Sequence, residues 1–286
     1  MPSPLDRKPR DDEIDAYGLT HVGKVRNVNQ DHFLISSLRR QVVVHQCSFA
    51  DADLLGTSSE RVAFLAMVAD GVGGGVGGEQ ASRLAIEAVT GYVNDSMDCY
   101  YSVGGDAEEF AQELQEAAMR CHANVLRRAE DTGELRGMAT TLTLWLGVWP
   151  RAYLVQVGDT RCYLLRDGEL VQISRDQTMA QELVDLGVLK DVDAAPRQLA
   201  QTLSSAIGGP QTAPKVTCLT QQWGDVGLLC SDGLTRHVSD DRIRERLRTM
   251  RSARETCEAL VQDALDGGGS DNVTVLIGRA VRSGAR

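Results

Sequence analysis

The sequence lacks the features that mark several large classes of protein. Its seven cysteines are scattered, odd in number and form no Cys-x-x-Cys pair, which argues against a disulfide framework and a thiolate zinc site. The longest apolar run, Val62 to Ala69, is much shorter than a bilayer span. Basic residues number 30 against 40 acidic ones, so the chain as a whole lacks the footprint of a nucleic-acid binder and is disfavoured at anionic membranes.

Length and composition are those of an ordinary soluble protein. The 286 residues have 42% apolar and 24% charged side chains, enough for a full hydrophobic core. No Pro/Gly/Ser-rich linker divides the interior. We therefore expect one domain over 13–281, with flexible tails at 1–12 and 282–286. The first tail is polar and matches no targeting signal, so we expect a cytoplasmic protein. We also expect it to be a monomer.

Periodicity predicts strands, then helices, then strands again. Helical spacing marks residues 84–92 and 110–125, and serines at 239 and 252 are positioned to cap two later helices. Predicted strands cover 14–21, 32–37, 41–47, 62–69, 142–146, 152–157, 161–166, 169–173, 215–220, 226–230 and 273–280. Because regular βαβ alternation is missing, the pattern favours an α+β fold of antiparallel sheets packed with outer helices.

Four aspartates stand beside or just after glycines where predicted strands begin or end, namely Asp70, Asp159, Asp232 and Asp271. A fifth, Asp31, opens the strand predicted at His32. Taken singly, each is an ordinary turn residue. Asp70 and Asp232 differ, because each follows a strongly apolar, central strand and leads into a helix or loop. The ends of such strands meet at one edge of the core, where ionised carboxylates repel each other and a bound cation would relieve that repulsion.

Oxygen ligands without His or Cys indicate a hard cation, Mg²⁺ or Mn²⁺. Two such ions would form a binuclear hydrolytic site, which activates a bridging water and neutralises charge on a phosphoryl group. Arg26, five residues before Asp31, is a candidate for a bidentate contact with phosphate. A solvated surface arginine is the alternative interpretation of Arg26.

A glycine-rich stretch follows Asp70. Gly73, Gly75 and Gly78 fit a G-x-G-x-x-G pattern, the superficial signature of a dinucleotide site. A second long helix follows where a dinucleotide-binding unit would return to a parallel strand, so this interpretation is disfavoured. We expect a loop of close backbone approach, in which the Gly71 carbonyl is free to join a metal sphere.

Six short stretches together resemble one known family. They are 26–31 (RNVNQD), 70–74 (DGVGG) with 78–82 (GEQAS), 137–141 (GMATT), 158–161 (GDTR), 231–234 (SDGL) and 271–274 (DNVT). Their order and spacing resemble the metal-dependent Ser/Thr protein phosphatases of the PPM (type 2C) family, in its compact bacterial form. The resemblance spans residues 14–280.

The resemblance implies an α-β-β-α sandwich of two antiparallel sheets flanked by helices, with two Mn²⁺ or Mg²⁺ ions at one end. It implies that Asp70 bridges both ions and that Asp232 and Asp271 are the remaining protein ligands of the first ion. The Gly71 carbonyl would coordinate the second ion, with Asp31 near it. Asp159 and Asp232 would bind a weaker third ion. Arg26 would bind phosphate, and residues 177–208 would form a flap that affects substrate choice.

The chain departs from the family pattern in places. Val72 stands where animal members carry a His general acid, Gly75 where bacterial members often have His, and Ala139 where Gly is usual. The flap begins Asp176-Gln177 instead of Asp-His. Every predicted metal ligand is retained, but the identity of the general acid and the substrate preference are open.

We therefore expect an enzyme that hydrolyses phosphoserine and phosphothreonine on proteins, by attack of a hydroxide bridging two metals. Its expected partners are phosphorylated proteins and a Ser/Thr kinase whose products it reverses in signalling. The alternatives are a phosphatase dedicated to one partner, of the anti-sigma-factor-antagonist type, and a non-catalytic binding module. The arginines from Arg236 to Arg254 are interpreted as a solvated helix face, with a docking surface for acidic partners as the alternative.

Overall fold

Two antiparallel β-sheets form the centre of the fold. The computed structural model describes residues 7–40, 59–73, 76–95 and 107–282. Its strands are β1 (Ile14–His21), β2 (Asp31–Arg40), β3 (Glu60–Val72), β4 (Ala139–Thr140), β5 (Leu142–Val148), β6 (Arg151–Val157), β7 (Arg161–Arg166), β8 (Glu169–Gln172), β9 (Lys215–Thr220), β10 (Val226–Cys230) and β11 (Val273–Ala280). One sheet has the order β1-β11-β10-β7-β8 and the other β2-β3-β5-β6-β9, with β4 paired to β3.

The helices of the described residues are α1 (Val76–Asp95), α2 (Ala107–Asp131), α3 (Met179–Asp185), α4 (Arg197–Gln201), α5 (Asp232–Thr235), α6 (Asp240–Arg248) and α7 (Ala253–Asp266). The side chains of Ser239 and Ser252 cap α6 and α7 as predicted. Helices α1 and α2 pack on the six-stranded sheet, whereas α5, α6 and α7 pack on the five-stranded one. The predicted four-layered α+β sandwich is confirmed.

The core has three parts. One lies between α1, α2 and the six-stranded sheet, and a second between the C-terminal helices and the five-stranded sheet. The third joins the two sheets through Ala66, Val68, Leu229 and Leu276. The two sheets therefore pack directly against each other, which places their strand ends side by side.

Several predicted elements differ in extent from those in the structure. The strand predicted over 62–69 runs from Glu60 to Val72, so it carries Asp70 within its ladder instead of just after it. The short strand β4 and the one-turn helix α5 were not predicted. The strand predicted at 41–47 lies outside the described residues.

The predicted N-terminal tail can be compared with the structure from residue 7 onward. Asp11–Glu13 forms a short 3₁₀ helix. The Arg7 guanidinium contacts Glu13 at 2.6 Å, and the buried Arg61 side chain contacts Asp11 at 2.9 Å. These ion pairs place residues 7–12 against the domain, in contrast to the flexible tail expected there.

Candidate metal centre

Antiparallel pairing brings the strand-end aspartates to one end of the sandwich. Asp31 at the start of β2 lies opposite Asp70 near the end of β3 in the ladder. On the five-stranded sheet, Cys230 at the end of β10 lies opposite Val275 near the start of β11. Asp232 and Asp271 therefore flank neighbouring strand ends, and Asp159 follows the end of β6.

Asp31 links the two sheets through its carboxylate. Its Oδ2 accepts hydrogen bonds from Ser231 Oγ and Thr274 Oγ1, both at 2.7 Å. Its Oδ1 is buried and has no hydrogen-bond donor among the described residues. Burial raises the pKa of Asp31 to about 6, against the opposing effect of the two hydroxyl donors. A buried acceptor without a donor is costly unless a cation or water satisfies it.

The charges of all four other aspartates act on the carboxyl group of Asp70. Desolvation raises the pKa of its carboxyl group well above the ordinary value, and the charges of the other four aspartates raise it further. The Asp70 backbone is held firmly, since its N–H donates to Thr141 Oγ1 at 2.9 Å and its carbonyl accepts from Thr140 Oγ1 at 2.9 Å. Five carboxylates that influence each other in this way form a strongly negative site.

Two arginines lie against the aspartates of the five-stranded sheet. The Arg26 guanidinium donates twice to Asp271, from Nε to Oδ1 at 2.8 Å and from Nη2 to Oδ2 at 2.9 Å. Arg236 donates from Nη1 to Asp271 Oδ2 at 2.8 Å, and its Nη2 also contacts Asp232 Oδ2. Desolvation raises the pKa of Asp232, and the charge of Arg236 opposes that rise. Arg26 thus lies at the predicted site, paired with a predicted metal ligand.

The loop that carries Asp159 is fastened to the flap. Gln177 is buried, its Oε1 accepts from Gly158 N at 2.8 Å, and its own N–H donates to Gly158 O at 3.1 Å. Gly158 has φ of +99°, a conformation that favours glycine. Desolvation and the charges of Asp232 and Asp176 raise the pKa of Asp159 to about 7, while Arg236 acts in the opposite direction.

The backbone packed around Gly71 leaves no room for a side chain. A Cβ atom at this position would collide with the backbone carbonyl of Gly78 at the start of α1. The Gly71 N–H donates to Gln30 O at 3.1 Å. Its neighbour Val72 is 39% exposed, and this apolar side chain has no proton to donate. The close backbone approach predicted for the glycine-rich stretch is present at Gly71, while residues 74 and 75 lie outside the described residues.

Some functional candidates were missed at the level of sequence. Asn272 holds the loop that carries Arg26: its Nδ2 donates to Val22 O and Val28 O, and its Oδ1 accepts from Gln30 N at 2.9 Å. Arg236 was interpreted as part of a solvated helix face. Its pairing with Asp232 depends on the one-turn helix α5, which places residues four apart on one side and was not predicted from the sequence.

The donor set fits hard divalent cations in its chemistry. It offers carboxylate oxygens, a strongly negative field and one buried carboxylate oxygen without a donor. Among residues 7–40, 59–73, 76–95 and 107–282, no three acidic, His or Cys side chains are already arranged to hold an ion. Asp232 and Asp271 are instead paired with arginines. The assignment of individual metal ligands therefore stays a prediction.

Comparison with solved structures defines the class of protein. The chain superposes on the Mycobacterium tuberculosis serine/threonine phosphatase PstP/Ppp with a TM-score of 0.74 and 33% identity, covering 94% of this chain and 99% of that one. A structure of the PstP catalytic domain in complex with two manganese ions matches with a TM-score of 0.71, 33% identity and coverage of 94% and 99%. The fold is thus that of a bacterial Ser/Thr phosphatase domain.

Sequence comparison gives the family. The family model described as Protein phosphatase 2C matches residues 48–267, and this chain belongs to that family. The serine/threonine protein phosphatase PstP of M. tuberculosis is 36% identical over 247 residues, covering 85% of this chain and 46% of PstP. The serine/threonine phosphatase stp of Listeria innocua is 30% identical, covering 74% of this chain and 83% of stp. The chain therefore spans about half the length of PstP, and most of stp.

The helices were also assessed for membrane insertion. Within the part of the chain that the structure describes, every helix is too short or too polar to cross a membrane.

Proposed function

We propose that this protein hydrolyses phosphoserine and phosphothreonine on proteins with the help of two divalent metal ions. The observation that carries the proposal is the cluster of Asp31, Asp70, Asp159, Asp232 and Asp271 at one end of the sandwich, where Asp70 is repelled by the other four. Family membership and the manganese ions in the PstP structure support it. When bound, such ions supply a nucleophilic water and neutralise charge on the phosphoryl group.

The residues of the chain have distinct tasks in this proposal. Asp70, Asp232 and Asp271 hold the metals, together with Asp31 and the Gly71 carbonyl. Ser231 and Thr274 orient Asp31 through their hydroxyl groups. Gln177 fixes the turn before Asp159, where a third ion was predicted.

Arg26 binds the phosphate of the substrate in the same proposal. Its guanidinium is half exposed, with 52% of the side chain accessible, and lies at hydrogen-bond distance from Asp271. A planar guanidinium that reaches the metal ligands from the solvent side matches the two-point geometry of a phosphate. Asn272 holds the loop on which Arg26 lies.

The choice between Mn²⁺ and Mg²⁺ and the cellular setting belong to the same proposal. A cytoplasmic location, a signalling role opposite a Ser/Thr kinase and a monomeric state rest on the sequence arguments above. The alternative of a phosphatase dedicated to one partner is not favoured, because the relatives are named serine/threonine phosphatases without such a restriction.

The decisive experiment is hydrolysis of a phosphothreonine peptide by the purified protein. We expect activity with Mn²⁺ and its loss on chelation, and we expect Asp232→Asn to remove it. Asp225→Asn is the matched control, because Asp225 pairs with Arg166 and is not among the five clustered aspartates. Activity that survives chelation would overturn the metal-dependent chemistry. Activity on small phosphate esters but on no phosphoprotein would overturn the substrate class.

A further inference from the structure

Arg236 joins two of the predicted metal ligands. It follows the one-turn helix α5 directly, and its Nη1 donates to Asp271 Oδ2 at 2.8 Å while its Nη2 contacts Asp232 Oδ2. The two aspartates come from segments that follow β10 and precede β11. A single guanidinium therefore holds together carboxylates that a divalent cation would otherwise hold.

The side chain is enclosed as well as paired. Only 29% of the Arg236 side chain is exposed, against 15% for Asp271 and 16% for Asp232. Its charge also acts on Asp159, the residue predicted to share a third ion with Asp232. Arg236 thus pairs with Asp232 and Asp271 and acts on Asp159 through its charge.

The chemistry of the two kinds of cation makes them competitors. A guanidinium keeps its charge at any physiological pH and donates to the same carboxylate oxygens that Mn²⁺ or Mg²⁺ would coordinate. A fixed positive charge a few ångströms away also repels a divalent ion. Five carboxylates with Arg26 and Arg236 leave a formal charge near −3, which two divalent ions already exceed.

We propose that Arg236 is a built-in cation that competes with divalent metal ions for Asp232 and Asp271, so that its guanidinium weakens the binding of one divalent ion at this cluster or takes its place. The proposal rests on the proposed metal-dependent function and adds a residue that sets metal affinity and number. It assigns Arg236 to the site instead of to a solvated helix face.

Equilibrium Mn²⁺ binding to the metal-free full chain, followed by the electron paramagnetic resonance of free Mn²⁺, tests the proposal without substrate. We expect Arg236→Gln to bind the weakest Mn²⁺ about tenfold more tightly than the wild type, or to bind one more ion. Arg236→Lys, which keeps the charge, is expected to stay close to the wild type. Arg242→Ala is the matched control, because Arg242 lies on α6 and pairs with Asp263 and Glu245.

Two results would overturn the proposal: a Mn²⁺ isotherm of Arg236→Gln that is unchanged, or one that is weaker than that of the wild type. If the isotherm is unchanged and inhibition by inorganic phosphate is weaker, Arg236 is a phosphate ligand instead. Circular dichroism confirms folding of each variant. If wild-type protein binds Mn²⁺ as expected but hydrolyses no phosphopeptide, the proposed function fails while this inference is still decided by the titration.

Discussion

The two ends of the β-sandwich differ in whether their acidic side chains have basic partners. At the end away from the aspartate cluster, three aspartates each have at least one arginine partner. Arg61 contacts Asp11 at 2.9 Å, Arg279 contacts Asp15 at 3.0 Å and Arg166 contacts Asp225 at 2.7 Å, and Asp11 also contacts Arg39. At the aspartate end, five carboxylates share Arg26 and Arg236, and both of these arginines contact Asp271.

This difference indicates that the arginine–aspartate pairs stabilise the fold, whereas the five clustered aspartates are held together for another purpose. A matched ion pair costs little, because each partner compensates the desolvation of the other. Unmatched carboxylates at a strand end raise each other's pKa and destabilise the metal-free protein. An excess of negative charge in one place is therefore better explained by a cationic ligand than by folding.

Replacing Asp70 is expected to have the largest effect of any substitution at the aspartate end. Asp70→Asn removes the carboxylate predicted to bridge the metals, so we expect phosphopeptide hydrolysis to fall about a thousandfold. The same change removes repulsion, so the thermal midpoint of the metal-free protein is expected to be equal or higher. Steady-state kinetics and calorimetry measure the two effects. An active Asp70→Asn enzyme would show that the cluster is not catalytic.

The second-largest effect is expected in the stability of the metal-free protein as a function of pH. Folding raises the pKa of Asp31 to about 6 and of Asp159 to about 7. The folded protein therefore binds more protons than the unfolded chain, and its stability falls as pH rises from about 4 to 7. We expect urea denaturation to give an unfolding free energy about 4 kcal/mol lower at pH 8 than at pH 5.

Mn²⁺ provides the control for that pH series, since a bound cation should remove or reverse the trend. Equal stability of the metal-free protein at the two pH values would contradict the strained cluster.

A substitution at the opposite end is expected to change stability without changing chemistry. Arg61→Met removes a buried guanidinium that donates to Asp11 and to Pro9 O, leaving both without that donor. We expect a loss of about 2 kcal/mol in unfolding free energy, with kcat/KM unchanged. Urea denaturation and peptide hydrolysis measure these. Reduced activity in the folded variant would mean that the two ends are coupled.

The smallest effect is expected for the uncharged hydrogen bonds that Gln177 makes at the aspartate end. Gln177→Ala leaves the buried Gly158 N–H without its acceptor and releases Ala213 O. We expect about 1–2 kcal/mol of destabilisation and a reduction in kcat of a few fold. Gln181→Ala is the matched control, because Gln181 lies on α3 and its side chain donates to Asp185 in an exposed hydrogen bond. Identical behaviour of the two variants would show that the flap does not position Asp159.

Local patterns predicted much of the fold. The bounds predicted for β1, β9, β10 and β11 coincide with those in the structure, because burial of alternate or successive residues is recorded in neighbouring positions. The extra length of β3 was missed, since Asp70 and Gly71 are typical of turns yet pair with Asp31 and Thr140 in ladders. Turn chemistry is a local signal, and strand pairing overrode it.

The amino-acid sequence by itself determined most of the strands, the α+β class of antiparallel sheets with outer helices, and the presence of aspartates at strand ends, because apolar periodicity and residue type are local properties. Only the tertiary structure decided which groups meet. Ser231 and Thr274 reach Asp31 across 200 and 243 positions, and Arg236 pairs with Asp271 from another segment. Such partners depend on strand register and on how two sheets stack, which no short stretch of sequence encodes.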